Sequence, residues 1–149
     1  GKFQDDQLFK ILDTTLKNCS KVLKLKLDFF NNTIGDTGVS SLCPVFDHCI
    51  NIQNLHLDLS NNNIGPQGAL HLGSSIAKCK KLQVLNLDLY QNNIGSLGAS
   101  NLGSVLIRFE NLEILQLNLH LNQVGEIPQQ KLKNKINKIK RLVFQIVNF

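Results

Sequence analysis

The sequence has no tryptophan, no methionine, one tyrosine and three prolines in 149 residues. Its hydrophobic content of 42% therefore builds a core mainly of leucine and isoleucine. No apolar run approaches the roughly 18 residues that would cross a bilayer. Acidic residues are the scarcer charge, 11 against 16 basic, for a formal net charge of +5. That balance permits nucleic acid, an acidic protein surface or an anionic membrane as partner and selects none of them. The four cysteines, Cys19, Cys43, Cys49 and Cys79, form no Cys-x-x-Cys pair, and only His48 beside Cys49 stands near a cysteine at zinc-ligand spacing. The opening GKFQDDQLFK has the pattern of neither a signal nor a transit peptide. Free thiols in a reducing compartment follow as the expectation, and with them a cytoplasmic location.

What is present is repetition. Laid on itself at a shift of 30 residues, the chain aligns LKLDFFNNTIGDTG from Leu25, LHLDLSNNNIGPQG from Leu55, LNLDLYQNNIGSLG from Leu85 and LQLNLHLNQVGEIP from Leu115. Asn32, Asn62, Asn92 and Asn122 coincide, as do Ile34, Ile64, Ile94 and Val124. Within one unit, Leu55, Leu57 and Leu59 alternate as a strand with one buried face. Ala69, Leu72, Ile76 and Cys79 then follow at helical spacing, predicting a helix from Pro66 to Lys81. Pro66 suits its first turn, and Lys78, Lys80 and Lys81 suit its C-terminal end. Strand, turn and helix repeated in phase give an α/β solenoid, with a parallel sheet on the concave side and helices on the convex side. The units are a helical half-repeat at 1–21, repeats at 22–51, 52–81, 82–111 and 112–141, and the start of a further strand at 142–149. The ends carry no polar cap, so a segment of a longer array, or ends covered by partners, is expected.

The pattern L-x-L-x-L-x-x-N-x-I-G-x-x-G-A-x-x-L-G resembles the leucine-rich repeat, specifically its ribonuclease-inhibitor-like class. Phrases such as NNIGSLGASNLG are similar to repeats common in ciliate protist proteins. The resemblance implies a horseshoe segment that binds protein, with a scaffold role in a cytoplasmic, cytoskeletal or ciliary assembly. It also implies two alternatives. One is a regulator of a small GTPase, since Ran GTPase-activating proteins resemble this class. The other is an electrostatic nucleic-acid binder.

Several candidate sites dissolve once the copies are compared. His56, Asp58 and Ser60 share one strand face with the residue types of a hydrolase triad. Residues at i and i+2 of a strand lie roughly 6.5–7 Å apart, while nucleophile and base must approach to about 3 Å. The equivalent trios, Lys26/Asp28/Phe30 and Asn86/Asp88/Tyr90, do not resemble one. Catalysis is not expected, nor is a cofactor, metal or small-molecule substrate. The Gly-x-x-Gly pairs at Gly35, Gly65 and Gly95 read as turns and helix packing rather than phosphate clamps. The asparagine column reads as a buried ladder that bonds to loop backbone. Cys19, Cys49 and Cys79 stand in a column that Phe109 and Ile139 continue, so it is core.

The positions between the inward leucines remain. Asp28, Asp58 and Asp88 form a column about 4.8 Å apart, whose mutual repulsion of about 1 kcal/mol per pair suggests use against a basic partner. Exposed aromatic side chains flank it and commonly anchor interfaces. The expected protein-binding residues are Asp28, Phe30, His56, Asp58, Asp88, Tyr90 and His120. KLKNKINKIKR, Lys131 to Arg141, holds most of the positive excess and reads as an amphipathic basic helix through Leu132, Ile136 and Ile139. Lys131, Lys133, Lys135, Lys138 and Arg141 are its candidate contacts to an acidic partner. The absence of stacking aromatics there counts against nucleic acid, and Pro128 and Gln129 depart from the repeat at this helix's start.

Overall fold

In the computed structural model, which describes residues 5–17 and 20–149, strands and helices alternate with the repeat. Strands β1 (Lys24–Asp28), β2 (Asn54–Asp58), β3 (Val84–Asp88), β4 (Ile114–Asn118) and β5 (Phe144–Asn148) form one parallel sheet in chain order. The register is uniform: Leu25 faces Leu55, Leu55 faces Leu85 and Leu85 faces Leu115. A parallel pair needs a crossover, which helices α1 (Asp5–Leu16), α2 (Gly35–Leu42), α3 (Val45–His48), α4 (Pro66–Ile76), α5 (Gly95–Leu106) and α6 (Glu126–Ile136) accompany or supply. The core lies between sheet and helices. Leu55, Leu57, Leu85, Leu87, Leu115 and Leu117 meet Leu42, Leu72, Leu102 and Leu132 there, all buried. Burying each such leucine contributes about 1.5–3 kcal/mol. Leu25 and Leu27 are only half-buried because β1 is an edge strand.

The helices are shorter than the apolar spacing suggests. α4 stops at Ile76 rather than Lys81, and Lys78, Lys80 and Lys81 lie in the turns beyond it. The basic segment behaves likewise: α6 ends at Ile136, so Lys138, Lys140 and Arg141 belong to the turns before β5. Ile139 and Cys79 are still buried, because a tight turn holds them inward just as one more helical turn would. In the first full repeat Pro44 splits the helix into α2 and α3; it lacks the N–H that a continuous helix would use. Pro128, by contrast, sits in the first turn of α6, where that N–H has no intrahelical partner anyway.

The asparagine column forms a ladder that points backwards along the chain. Asn92 Oδ1 accepts from the backbone N–H of Asn62 (3.0 Å) and Ile64 (2.9 Å), and its Nδ2 donates to the Leu59 carbonyl (2.9 Å). Asn62 and Asn122 repeat the arrangement one unit either side. Asn32 departs from the expectation of burial: it is exposed and, among the described residues, bonds to its own turn at Phe29 and Phe30. No strand precedes β1 among the described residues, so Asn32 has no loop to reach back to.

The glycines are scaffold, and their roles differ. Gly35 and Gly95 take positive φ (59° and 61°), whereas Gly65 is extended because Pro66 follows it. A Cβ at Gly98 would lie 2.5 Å from Ile94 Cγ2 and 3.2 Å from the Pro66 Cα of the preceding repeat. Of the cysteine column, Cys49 and Cys79 are buried as expected, and Cys19 lies outside the described residues. Cys43 and Cys79 are free thiols. Burial pushes the Cys79 thiol up to about 11, with Cys49 a smaller contributor, and burial likewise raises that of Cys43 against a hydrogen bond from Ser75.

Candidate functional site

Among the described residues the helices pack behind the sheet and leave its concave face bare. Four outward columns cross it. The aspartates stand where the repeat puts them, yet each has work inside the chain. Asp28 Oδ1 accepts the Phe30 N–H (3.0 Å), Asp58 that of Ser60 (2.9 Å) and Asp88 that of Tyr90 (2.9 Å). Asn118 does the same for His120 at 3.1 Å. A neutral amide serves equally, so the bend at the strand end needs an acceptor oxygen rather than a charge. The electrostatic cost of stacking three aspartates is offset at least partly by these charge-assisted bonds.

The aromatic rim lies beyond that bend. Phe30 is 57% exposed. Tyr90 and His120 stack with centroids 5.9 Å apart and planes 22° from parallel. The imidazole Nδ1 of His120 lies 2.8 Å from the Phe149 carbonyl oxygen, and the Lys133 ammonium sits 5.3 Å from the Phe149 ring centre. Tyr90, His120, Phe149 and Lys133 thus border one open hollow. Ser60 is closed off: it is 4% exposed, and its hydroxyl donates to Asp58. This contact forms despite the i, i+2 separation because the chain leaves extended geometry after Asp58. It joins Ser60 to Asp58, and His56 takes no part in it, so no triad exists.

His56 instead borders a depression of about 240 Å³ with Asn86, Asp88, Gln116, Asn118 and Ile146. Asn86 Oδ1 is buried there without a hydrogen-bond partner. Sequence reasoning overlooked two outward apolar side chains at the same end, Phe144 (48% exposed) and Ile146 (42% exposed). They pair in register with Ile114 and Gln116. The 30-residue alignment contained that signal, since Val147 and Phe149 take the inward positions and leave Phe144 and Ile146 outward. Leu121 was overlooked too: it is exposed beside His120 and held at φ 58°, where leucine is strained.

The structure brings Asp88, Tyr90 and His120 together just past the ends of the central strand β3 and its neighbour β4, while Asp28 and Phe30 belong to the edge strand β1. The basic residues divide. Lys131, Lys135 and Lys138 border a convex groove, Lys133 turns toward Phe149, and Arg141 donates to Asn111 at 2.9 Å. Among the described residues no group of three or more His, Cys, Asp or Glu could hold a metal, and no helix is long and apolar enough to cross a membrane.

A family model described as "Leucine Rich repeat" matches residues 24–43 and 52–73, two successive strand-turn-helix units. Those units are leucine-rich repeats, and the single parallel sheet in chain order has the fold of a leucine-rich repeat solenoid. Its fold is similar to the solved structure of Leiomodin-1 Actin-Binding Site 2 (ABS2), with a TM-score of 0.70 at 14% identity over all of this chain and 82% of that one. At that identity the likeness concerns the leucine-rich repeat fold. No curated protein matches the sequence.

Proposed function

We propose that this leucine-rich repeat chain is a non-catalytic protein-interaction module, binding a partner protein on its concave sheet face within a larger assembly. The bare concave face carries the reading. Rigid parallel strands hold its side chains at fixed spacing, so binding orders little that is not already ordered. Phe30, Tyr90 and His120 supply aromatic contact area along the rim, and Phe144 and Ile146 supply apolar area at one end. Asp28, Asp58 and Asp88 each engage one carboxylate oxygen in the bend, which leaves their charge directed to the face. His56 lies in the depression between them and the apolar end. The setting proposed is cytoplasmic, with the cytoskeleton one such assembly.

The test is cross-linked capture from native extract with the wild-type chain and a Tyr90→Ala/Ile146→Ser double variant. Both positions are on the sheet's outward side, so the fold should survive. The variant should lose the specific partner by at least about tenfold, given that buried aromatic anchors commonly carry more than 1 kcal/mol each. Equal capture of the same proteins by both would refute the concave reading. Actin, which the leiomodin structure names, is assayed separately by co-sedimentation.

A further inference from the structure

The positive charge is concentrated in one repeat. Six of the 16 basic residues, and none of the 11 acidic ones, lie after Glu126. In the earlier repeats two convex basic side chains have a carboxylate neighbour: His48 Nε2 lies 3.0 Å from Asp13 Oδ1, and the Lys78 ammonium 2.5 Å from Asp47 Oδ1. Arg108 and Lys138 continue the column of His48 and Lys78 at 30-residue steps. Where Lys78 finds Asp47, 31 residues earlier, Arg108 and Lys138 find Ala77 and Ile107. Neither has a carboxylate partner among the described residues. Along this column, carboxylate neighbours end at Lys78.

The same place holds a groove between α5 and α6 of about 320 Å³, bordered by Ser100, Pro128, Leu132, Lys131, Lys135 and Lys138. Lys131, Lys135 and Lys138 stand at i, i+4 and i+7, and Asn137 keeps helical dihedrals (φ −61°, ψ −13°) beyond the end of α6. That spacing puts three ammonium groups on one stripe. Lys135 reaches across to Ser104 Oγ at 2.8 Å, while Lys131 and Lys138 are exposed. Pro128 borders the groove between the charges, with the edge of the otherwise buried Leu132 beneath.

We propose that this convex groove binds an acidic protein segment, seating one apolar side chain of the segment between Lys131, Lys135 and Lys138, with Arg108 extending the basic track. Charge selects an acidic occupant, and a second copy of the chain would bring like charge to the same place. The apolar floor favours a peptide over a nucleic acid, for which a basic track is typically joined by aromatic rings that stack the bases. No aromatic side chain borders this groove. The site is independent of the concave face and stands or falls apart from it.

The experiment uses fluorescence anisotropy with a labelled decapeptide of Glu and Asp around a central Leu pair. Controls are its Gln/Asn counterpart, a Leu→Ser version, and an oligothymidylate of equal charge. The acidic peptide should bind and weaken with salt, while the Gln/Asn peptide should not bind. The Leu→Ser version should bind several-fold more weakly. The variant Lys131→Gln/Lys138→Gln should weaken the acidic peptide about tenfold, as the product of two exposed contacts each contributing about a factor of three. Its melting temperature should match the wild type. Lys24→Gln/Lys26→Gln, on the concave side, should change nothing. Failure of the acidic peptide to bind would overturn the proposal, as would binding insensitive to Lys131→Gln/Lys138→Gln. Oligothymidylate binding as tight as the peptide, with no effect of Leu→Ser, would assign the groove to polyanions and overturn it too.

Discussion

Replacing Asn92 by alanine tests the ladder that joins one repeat to the next. Asn92 is 4% exposed, and its amide makes contacts in two directions. On deletion, the buried N–H groups of Asn62 and Ile64 lose their acceptor, and the Leu59 carbonyl loses a donor. The Leu89 carbonyl is protected, because Asn122 also donates to it at 2.7 Å. A buried donor left unpaired costs about 1–3 kcal/mol. Two such donors, partly relieved by water entering the loop, put the loss near 3 kcal/mol. For a chain of this size that lowers the melting temperature by about 6–12 °C. Asn32→Ala is the matched control: the residue type and register are the same, but Asn32 is exposed and accepts from no neighbouring loop. Its cost should stay below about 1 kcal/mol. Thermal melts followed by far-UV circular dichroism, with urea titrations alongside, provide the comparison. If Asn92→Ala melts within about 2 °C of Asn32→Ala, the backbone is finding its partners elsewhere and the ladder is not what couples the repeats.

Gly98→Ala should destabilise by about 1–3 kcal/mol in urea titration, because its Cβ would press on Ile94 and on the Pro66 backbone and force both helices to shift. Asp88→Asn should leave stability in urea titration unchanged to within about 0.5 kcal/mol, since Asn118 shows that an amide oxygen suffices for the bend. Partner capture should nevertheless fall if the charge faces a basic surface. Leu121→Asn should stabilise by about 1 kcal/mol, relieving a leucine at φ 58° in a place where Asn61 and Asn31 are at home. Cys79 links stability to pH: its folded-state thiol is raised from 9.0 to about 11, so the folded chain holds that proton more tightly. Its contribution is complete below pH 9.0 and is lost as pH rises toward about 11. The wild-type urea midpoint should therefore fall relative to that of Cys79→Val across that window.

The solenoid was legible because a repeat protein specifies itself redundantly. Leu55, Leu85 and Leu115 coincide at a fixed step, and stacked copies can satisfy that pattern only by placing like residues side by side. The 30-residue step in the sequence is the register of the sheet. Scaffold and outward positions could be told apart on the same ground, down to Tyr90 and His120 as neighbours. Helix ends were less legible, since Cys79 and Ile139 are buried whether a helix or a turn delivers them.

What a side chain does with its polar atoms required the tertiary structure. From the sequence Asp88 is a charge on a surface; its carboxylate turns back to hold the Tyr90 N–H only because the chain bends there. Asn32 and Asn92 are the same letter in the same column, and only the presence of a preceding loop makes one a buried link and the other an exposed cap. Lys78 and Lys138 are likewise equivalent by position, yet one is neutralised by Asp47 and the other faces the groove uncompensated. The repeating sequence determined which residues line up, through their periodic spacing. The tertiary structure decided which of them are already satisfied, because that depends on atoms contributed by the neighbouring turn.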